Sequence, residues 1–544
     1  MSLNPRQILF FLLCSVNLLS SQAHSASTYV SKVWVADNGD GTYKNPIINA
    51  DYSDPDLCRV GDDYYMTASS FGCAPAIPIL HSNDLVNWQL VNYALKRITL
   101  DDVFSKPMHG KGVWAPCIRF HNDEFFIFWG DPDYGIYMIK AWNPLGDWSE
   151  PVLVLAGKGL IDPSPLWDDD GRVYMVHGWA ASRAGLNSIL TVNELSADAS
   201  KVIGETALVY DGMKDGNHTT EGPKFYKRNG FYYIMAPAGG VEQGWEIALR
   251  SKNVYGPYEC KTVMAQGKSS INGPHQGGWV ETQTGESWFM NFQDKAAYGR
   301  VIHLQPMKWV NDWPVIGVDK DGDGCGEPVL SHKKPNVGKT YPVETPVESD
   351  EFNSEKLGLQ WQWHANPKQS FGMPSRLGFM RLYAEYLPDD YVNFWQVPNL
   401  LLQKIPADEF TATTKLDFYS KTTDEKTGLI VMGWNYSYIA LVKREAGFAL
   451  LQSVCIDAEK KNPETLVATK EINESKIYLR IQVKSGAICT FSYSTDGQKF
   501  IPFGEPFIAR QGKWIGAKVG IFCQTPLKSG ARGYVDFDWF RVEK

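Results

Sequence analysis

A motif that recurs five times in the first 330 or so residues constrains the fold more than any other feature of the sequence. Each copy has a proline-marked opening, a strand, a short polar turn and a strongly aromatic strand. The openings stand at positions 54, 114, 162, 221 and 275, so successive copies begin 60, 48, 59 and 54 residues apart. A period of about 55 residues without helical periodicity is typical of one four-stranded blade per repeat, whereas a sandwich of hairpins needs no fixed period. The sequence therefore predicts a five-bladed β-propeller.

The repeat ends near residue 318, where a Gly/Asp-rich loop and a proline-rich stretch follow. From residue 350 to the last residue, alternating strands resume without the period, in segments such as KIYLRIQVK and ARGYVDFDWFRV. About 195 residues of this kind predict a two-sheet β-sandwich of jelly-roll type. The predicted organisation is an all-β chain with a signal peptide at 1–26, a propeller at 27–328, a linker at 329–347 and a sandwich at 348–544.

The first 26 residues have the pattern of a secretory signal peptide. Arg6 supplies the positive charge, residues 8–19 form an apolar stretch too short to span a bilayer, and cleavage is expected after Ala23 or Ala26. No later run in the sequence reaches the length of a transmembrane helix. We therefore expect an exported protein without a membrane span, located in the periplasm or outside the cell.

Composition argues against several classes of function. The net charge of −8 leaves no basic stripe to follow a phosphate backbone, so nucleic acid is not an expected partner. Eight cysteines beyond the predicted signal peptide are scattered, without a CxxC pair or a paired histidine spacing. A zinc site is therefore not expected, and buried thiols are at least as favoured as disulfides. Aromatic residues make up 13% of the chain, which suits neutral ligands such as sugars.

Three acidic residues, Asp54, Asp162 and Glu221, stand at openings of the repeat. Because the innermost strands of a propeller line its central channel, these side chains are expected to meet in one pocket. Such a cluster is costly, since like charges repel and burial disfavours ionisation. Glycoside cleavage requires it, because one carboxyl group protonates the leaving oxygen while another activates or replaces water. Asp51 and Asp56 lie close to Asp54, and composition alone does not separate them from it.

The motifs around these residues resemble glycoside hydrolase family 43, from about residue 45 to residue 328. The segments that carry the resemblance are NPIINADYSDPDLCRVGDDYYMTASSF, GVWAPCIRF, GLIDPSPLWDDDGRVYMVHG, TEGPKFYKRNGFYYIM and YGRVIHLQPMKW. The C-terminal half is similar to the concanavalin-like sandwich of the family's xylosidases and arabinofuranosidases, and the resemblance implies that the propeller is the catalytic domain. The resemblance implies an inverting reaction in which Asp54 is the general base, Glu221 the general acid, and Asp162 the residue that orients the acid and raises its pKa.

The resemblance also implies four residues that bind substrate. Trp114 and Phe71 would form walls of the pocket, and Arg300 would bind sugar hydroxyls with its rigid donor fork. His275 would lie beneath the pocket and contact a structural calcium ion through water, although no cofactor is expected to be required. The alternatives are a blade-core tryptophan for Trp114, a surface ion pair for Arg300 and a satisfied core histidine for His275.

Two other acidic groups are weaker candidates for calcium. Residues 319–323 imitate the start of a helix-loop-helix calcium site, but the twelfth position is Leu330 instead of glutamate. This loop is interpreted as a Gly/Asp turn, with calcium as the alternative. Asp536 and Asp538, in the final strand, are the second group.

These features together predict an exo-acting, inverting glycosidase that releases terminal pentose from plant cell-wall hemicellulose oligosaccharides. α-L-Arabinofuranose is the first expectation for the sugar, and β-D-xylosidase or dual activity is the alternative. A non-catalytic carbohydrate-binding propeller is the alternative from another class, but it is expected to have lost one of the three acids, and all three are present. The sandwich is expected to pack on the propeller and to lend a loop to the rim of the pocket, and binding of polysaccharide is the alternative.

Overall fold

A computed structural model describes residues 29–544, so the predicted signal peptide lies outside the described residues. Helices are few and short: α1 (Asp101–Phe104), α2 (Ala181–Ala184) and the 3-10 helices Ala296–Tyr298, Phe394–Gln396 and Ala458–Lys460. Among residues 29–544, none is long and apolar enough to cross a bilayer. The fold is therefore carried by strands, as the sequence predicts.

Strand β1 (Thr42–Lys44) precedes five four-stranded antiparallel sheets, which confirm the predicted five-bladed propeller. Blade I has strands β2 (Asp56–Val60), β3 (Asp63–Thr67), β4 (Ala76–Ser82) and β5 (Gln89–Leu95). Blade II has β6 (Trp114–His121), β7 (Glu124–Asp131), β8 (Gly135–Ala141) and β9 (Val152–Ala156). Blade III has β10 (Leu160–Trp167), β11 (Val173–Trp179), β12 (Ile189–Leu195) and β13 (Ala207–Asp211). Blade IV has β14 (Lys224–Arg228), β15 (Phe231–Ala238), β16 (Trp245–Ser251) and β17 (Glu259–Met264), and blade V has β18 (His275–Glu281), β19 (Ser287–Asp294), β20 (Arg300–Val310) and β21 (Trp313–Ile316).

Each blade uses four consecutive strands, and the first of them lies at the centre of the ring. There β2 contacts both β6 and β18, and β10 contacts β6 and β14, so the last blade closes directly on the first. The segment before β2 also crosses blade V, where Ile48 pairs with Ile302 of β20. This connectivity brings the openings of all five repeats to one end of a shared channel.

The aromatic second strands are buried on both faces because each lies between two neighbouring blades. In β7, Phe126 and Phe128 pack in the core shared with blade III, while Ile127 and Trp129 pack in the core shared with blade I. A strand buried on both faces is hydrophobic at successive positions instead of alternating positions. The aromatic runs of the repeat are therefore the inter-blade cores of the propeller.

Tight turns join the first two strands of the blades. Between β14 and β15 the turn is Asn229-Gly230, and both residues have positive φ, 50° and 70°. Two successive left-handed residues make the type I′ turn that matches the twist of a hairpin, and Asn-Gly is the sequence that adopts it most easily. Here the local sequence fixes the pairing register of the blade.

Residues of the predicted linker run along the propeller. Strand β22 (Ser331–Lys333) pairs with β1, and the backbone N–H of Thr345 donates to the carbonyl oxygen of Tyr29 at 3.0 Å. The domain boundaries at residues 328 and 348 stay a prediction. The ends of strands show where regular structure stops, which need not be where a domain ends.

The C-terminal part is a two-sheet β-sandwich, as predicted. One sheet contains β23 (Gln362–Trp363), β26 (Glu385–Tyr386), β27 (Leu401–Lys404), β29 (Lys426–Met432), β30 (Tyr436–Lys443), β31 (Phe448–Cys455), β32 (Thr465–Ile472) and β37 (Lys518–Thr525). The other contains β24 (Gly372–Ser375), β25 (Phe379–Tyr383), β28 (Phe410–Tyr419), β33 (Lys476–Lys484), β34 (Ile488–Ser494), β35 (Ile501–Pro502), β36 (Phe507–Ile508) and β38 (Tyr534–Glu543). A single buried core joins their facing sides, with Leu416 and Phe537 from one sheet against Leu429 and Ile521 from the other.

The sandwich packs on the propeller through backbone and side-chain hydrogen bonds. Ala74 and Trp363 form an isolated β-bridge between the two parts, and Gln362 Nε2 donates to the carbonyl oxygen of Pro75 at 2.9 Å. On the other side of the contact, the N–H of Ala517 donates to the carbonyl oxygen of Ala297 at 2.7 Å. The segment just before β37 is thereby held against the loop that precedes Arg300.

The eight cysteines in the described part of the chain form no disulfide. Five of them are buried and three are partly buried, in keeping with the expectation of thiols inside strands.

Candidate active site

A residue with left-handed backbone recurs at or just before the start of the innermost strand in all five blades. The residues with positive φ are Asp54, Ala115, Asp162, Gly222 and Gln276, at 57°, 40°, 57°, 58° and 36°. In four blades the next residue is proline, and in blades II, III and V the pairing register shifts at this point. Irregularities of this kind commonly re-aim side chains at a functional site, and here they lie where the strands enter the channel.

Relative to the left-handed residue, the three acids are not at equivalent positions, although the spacing of the repeats places them at equivalent openings. Asp54 and Asp162 occupy the left-handed position itself, which aspartate tolerates better than most residues. Glu221 stands one residue earlier, and glycine takes the left-handed position because a Cβ on Gly222 would lie 2.6 Å from the Gln276 side chain. As a result the Glu221 side chain is 32% exposed, against 8% for Asp54.

Asp54 is held as an acceptor by three donors. Its Oδ2 accepts hydrogen bonds from the hydroxyls of Ser53 and Ser69 at 2.8 and 2.6 Å, and its Oδ1 lies 3.1 Å from Arg300 Nη1. The Ser69 hydroxyl oxygen in turn accepts from the N–H of Ala115 at 2.7 Å. Charge-assisted bonds of this kind fix both the position and the orientation of a carboxylate. Ser69 was not singled out from the sequence, because nothing marks this serine until the fold brings it to Asp54.

Arg300 lies in the pocket instead of on the surface. Besides Asp54, its Nη1 donates to Ser53 Oγ at 2.7 Å, and its Nε lies 3.6 Å from Asp294 Oδ2. The backbone N–H of Arg300 donates to Asp51 Oδ1 at 2.9 Å. The guanidinium is thereby oriented by two carboxylates, and its role towards sugar hydroxyls stays a prediction.

Asp162 is buried next to the acid-bearing segment. Its Oδ2 accepts a hydrogen bond from the N–H of Gly222 at 2.8 Å, which ties it to the residue after Glu221. Burial, followed by repulsion from Asp54, raises the pKa of Asp162 to about 6, while the Gly222 bond and the charge of Lys224 oppose this. At neutral pH Asp162 is therefore mostly ionised beside Glu221.

Glu221 holds its proton more strongly than Asp162 does. Burial raises the pKa of Glu221 to about 8, with further contributions from the charges of Asp162 and Asp54, while Arg300 opposes them. Its Oε1 lies 3.5 Å from His275 Nε2, but burial lowers the pKa of His275 to about 3, so this imidazole brings no charge. Glu221 can thus donate a proton at neutral pH, as a general acid must.

A bell-shaped dependence of kcat/KM on pH follows from these groups. With the roles expected from the sequence, activity needs Glu221 protonated and Asp162 ionised, so we expect kcat/KM to fall as pH rises through about 8 and as pH falls through about 6. The two limbs belong to the interacting pair, since each charge changes the proton affinity of the other group. Initial rates on an aryl pentoside between pH 4 and 10 measure both limbs. A rate that stays constant up to pH 10 would contradict the proton-donor role of Glu221.

Aromatic side chains wall the pocket above the acids. Phe71 and Trp114, both predicted from the sequence, pack edge to face with ring centres 6.1 Å apart. Trp114 also packs edge to face on Trp514, at 6.3 Å. Ile161, Val241 and Gln276 complete the lining of a pocket that measures about 460 Å³ together with its mouth. Apolar walls around a few convergent polar groups are typical of a small-molecule site.

Trp514 reaches this pocket from the sandwich. It belongs to the loop before β37, where the N–H of Gly516 donates to Asp51 Oδ2 at 3.1 Å. Asp51 thus links the loop to the backbone of Arg300. The sequence predicts that a loop of the sandwich reaches the rim but does not indicate which residue, because Trp514 and Trp114 are 400 positions apart in the chain.

Replacement of Trp514 by alanine is expected to lower kcat/KM about 10-fold, mainly through KM. The ring is 41% exposed and packs on Trp114, so its loss opens one wall of the pocket without leaving a cavity in a core. Removal of one aromatic wall costs about 1–1.5 kcal/mol of contact, which corresponds to about that factor. Trp142→Ala, which removes a 72% exposed tryptophan in the β8–β9 loop, is the matched control. Equal effects of the two substitutions would remove Trp514 from the site.

The two acidic neighbours of Asp54 have other partners. Asp56 is fully buried; its Oδ2 lies 2.5 Å from Arg119 Nη1 and accepts from the N–H of Ile118 at 2.9 Å. Asp51 accepts from Arg300 and Gly516, as described above. The structure therefore separates Asp54, which faces the pocket, from two carboxylates that hold strands and loops together.

The calcium candidates differ in their surroundings. Asp536 forms a two-pronged ion pair with Arg381, at 2.7 Å for both contacts, and Asp538 pairs with Lys415 at 2.7 Å, so cationic side chains already balance both. In the loop at 319–323, Asp319 accepts from the N–H groups of Gly322 and Gly324, as in a Gly/Asp turn.

His275 is buried, and within the described residues neither ring nitrogen has a hydrogen-bond partner. A neutral imidazole of this kind fits contact with a hydrated cation. The calcium site beneath the pocket stays a prediction.

Comparison with known proteins agrees with this architecture over both parts of the chain. The profile of glycosyl hydrolases family 43 matches residues 43–314, and that of the beta xylosidase C-terminal concanavalin A-like domain matches residues 349–543. A β-xylosidase of Formosa agariphila is 33% identical over 555 residues, covering 93% of this chain and 91% of that protein. A non-reducing end α-L-arabinofuranosidase of Bacteroides ovatus is 31% identical over 536 residues, covering 92% and 94%.

Solved structures show the same arrangement of propeller and sandwich. The crystal structure of a xylan β-1,4-xylosidase from Bacillus halodurans superposes with a TM-score of 0.82 at 25% identity, covering 92% of this chain and 100% of that one. Two family profiles match in the observed order, the relatives match over nearly their whole length, and the fold is shared. The chain belongs to glycoside hydrolase family 43 and is a glycoside hydrolase.

Proposed function

We propose that this glycoside hydrolase is an inverting exo-enzyme that releases terminal pentose from hemicellulose oligosaccharides. The observation that carries the proposal is the convergence of Asp54, Asp162 and Glu221 in one aromatic-walled pocket, each with a different set of partners. Asp54 acts as general base on a water molecule, Glu221 as general acid on the leaving oxygen, and Asp162 as a positioning residue that keeps Glu221 protonated.

The different environments of the two reacting groups support this assignment of roles. Asp54 accepts hydrogen bonds from Ser53 and Ser69 and pairs with Arg300, so it is ready to accept a proton from water. Glu221 has only a neutral imidazole beside it and two carboxylates near it, so it holds its proton. A carboxylate fixed by hydrogen-bond donors and a carboxyl group that keeps its proton can divide the roles of base and acid between them.

An exo mode of action is supported by the closure of the pocket on several sides. Phe71, Trp114 and Trp514 wall it, and Trp514 comes from the second domain. A pocket walled in this way admits the end of a chain, whereas cleavage within a chain needs a groove that is open at both ends.

β-D-Xylose is our first candidate for the released sugar, and α-L-arabinofuranose is the second. The β-xylosidase of Formosa agariphila and the xylan β-1,4-xylosidase of Bacillus halodurans, both matched over their full architecture, favour xylose. The α-L-arabinofuranosidase of Bacteroides ovatus, at similar identity and coverage, keeps arabinofuranose as the alternative. This order is the reverse of the one expected from the sequence. The pocket residues identified from the sequence suit either pentose, so the order rests on the relatives.

The proposal is tested with three substrates and one product analysis. Aryl β-D-xyloside and aryl α-L-arabinofuranoside give the sugar preference, and xylotetraose labelled at its reducing end gives the direction of attack. We expect xylose to appear while the labelled product shortens by one unit at a time. Proton NMR during the first minutes should show the α-anomer of xylose from a β-xyloside, as inversion requires. A first-formed β-anomer, or labelled products of random length, would overturn the mechanism or the exo mode respectively.

We also propose that the protein is exported, on the basis of the signal-like pattern in its first 26 residues. Mass spectrometry of the protein from fractionated cells should find a new N-terminus after Ala23 or Ala26. A full-length N-terminus in the cytoplasmic fraction would contradict export.

A further inference from the structure

A second cavity lies between the propeller, the predicted linker and the sandwich. This interdomain cavity takes its walls from residues within 47–52 and 86–93 of the propeller, 344–348 of the linker and 403–406 of the sandwich. It measures about 660 Å³ together with its mouth, against about 460 Å³ for the pocket of the three acids, and among the described residues none lines both. Spaces of about 300–1,000 Å³ are usual for small-molecule sites, which are frequent between domains.

Two amide side chains in the wall of the interdomain cavity lack partners. Asn49 and Gln403 are 4% and 2% exposed. Within residues 29–544, neither amide atom of Asn49 nor Nε2 of Gln403 has a hydrogen-bond partner. Because an unpaired buried amide is costly, these groups are expected to pair with a polar molecule in the cavity.

The pocket of the three acids has the same feature. Trp114 Nε1 and Arg300 Nε, which belong to residues of its lining, are buried and have no hydrogen-bond partner in the described part of the chain. Donors left free in a pocket are available to the hydroxyl groups of a ligand. Free buried donors are therefore common to the pocket proposed for the reacting sugar and to the interdomain cavity.

The rest of the wall favours a neutral ligand that carries hydroxyl groups. The apolar part of the wall is aromatic: Trp34, Tyr52, Trp88 and Tyr93. The Lys404 ammonium lies 4.8 Å from the centre of the Tyr52 ring, and the carboxyl group of Glu344 also lines the cavity. An ammonium and a carboxyl group together favour neither sign of ligand charge, whereas an amide donates and accepts as a hydroxyl does.

The interdomain cavity has an approach from solvent. Trp34 and Asn49 also line an adjoining cleft, together with Ala407 and Phe410 of the sandwich. Val347 of the linker, which is 40% exposed, borders the cavity itself. Asn49 thus lies between the cavity and the cleft, where a small molecule reaches it from outside.

We propose that the interdomain cavity is a second binding site, for a neutral sugar of the size of a pentose, held by the amides of Asn49 and Gln403 against the aromatic wall. The presence of the site is independent of the proposed function, and only the choice of a pentose rests on it. Tyr52 lines this site two residues before Asp54, and its N–H donates to the carbonyl oxygen of Arg300 at 3.0 Å. One short segment therefore separates the second site from the pocket of the three acids.

The test is a fluorine NMR titration of the protein, labelled with 5-fluorotryptophan, with D-xylose and with L-arabinose. Trp34 and Trp88 report on the interdomain cavity and Trp514 on the pocket of the three acids, each assigned by its replacement with phenylalanine. We expect the Trp34 and Trp88 signals to shift with a Kd of about 1 mM, an ordinary value for a ligand of this size.

Two variants separate the second site from the first. Asn49→Leu and Gln403→Leu should each weaken the Kd seen by Trp34 and Trp88 about 10-fold, because leucine has a similar size but neither donor nor acceptor. The Trp514 response should stay unchanged. Gln89→Leu, next to Leu90 of the cavity wall but outside the lining, is the matched control and should leave all these responses in place.

Trp34 and Trp88 signals that stay in place up to about 100 mM sugar, 100 times the expected Kd, would mean that the cavity holds water only and would overturn the proposal. A shift that neither Asn49→Leu nor Gln403→Leu weakens would overturn it as well. If one of these variants fails to fold, the other carries the test. A Trp514 signal that responds to neither sugar counts against the proposed function, while the Trp34 and Trp88 signals still decide the second site.

Discussion

Glu221→Gln is expected to lower kcat on xylobiose by about 10²–10⁴-fold while leaving the fold intact. The amide has the shape of the protonated acid but has no proton to give to the leaving oxygen, and general acid catalysis contributes about this much. The alkaline limb of the pH profile should disappear with it, because that limb reports the ionisation of Glu221. Initial rates from pH 5 to 9 on the wild type and the variant measure both effects.

The leaving group separates proton donation from any other function of Glu221. The dinitrophenolate of a 2,4-dinitrophenyl pentoside leaves without protonation. The variant should therefore hydrolyse this substrate at a rate much closer to that of the wild type. Glu242→Gln is the matched control, since Glu242 is exposed and next to Val241 of the pocket wall but does not line the pocket. An equal loss on xylobiose and on the dinitrophenyl substrate would show that Glu221 acts in binding or structure instead.

The propeller could be predicted from the sequence because its cause is local and repeated. Each blade is a run of four consecutive strands, so the period of the sequence equals the period of the structure. Turns such as Asn229-Gly230 fix the hairpins locally, and aromatic strands such as β7 fill the cores on both faces. The sandwich was predictable only as a class, because its sheets pair strands as distant in sequence as β28 and β38.

The predicted site residues come together, but the sequence could not show their geometry. Asp54, Asp162, Glu221, Trp114, Phe71 and Arg300 all line one pocket, and His275 lies beside Glu221. Glu221 stands one residue before the left-handed position that Asp54 and Asp162 occupy. This offset depends on the backbone conformation, which no residue type indicates by itself.

Ser69 and Trp514 were not identified, since each reaches the site through a contact distant in sequence. Positions set by local backbone could be predicted, whereas partners brought by tertiary packing could not.

Asp54→Asn is expected to abolish most activity on every substrate, by about 10²–10⁴-fold, because it removes the proposed base for water. In contrast to Glu221→Gln, a good leaving group should not rescue it, since the missing step is attack and not departure. Azide, which needs no base, should restore turnover in Asp54→Ala and give a glycosyl azide of inverted configuration. A glycosyl azide of retained configuration would contradict the inverting mechanism and the role of Asp54.

Asp56→Asn, two residues away, should lower the stability of the fold but not the kcat of the folded enzyme. Asp56 is fully buried and pairs with Arg119, so its neutralisation leaves a buried guanidinium without its counter-charge. Breaking a buried pair in this way costs about 3–5 kcal/mol of the free energy of unfolding. Thermal unfolding should show this loss, while the fraction that remains folded keeps a kcat close to that of the wild type. Two carboxylates that stand two positions apart in the sequence are thus distinguished by experiment, because Asp54 lines the pocket whereas Arg119 holds Asp56 within the propeller.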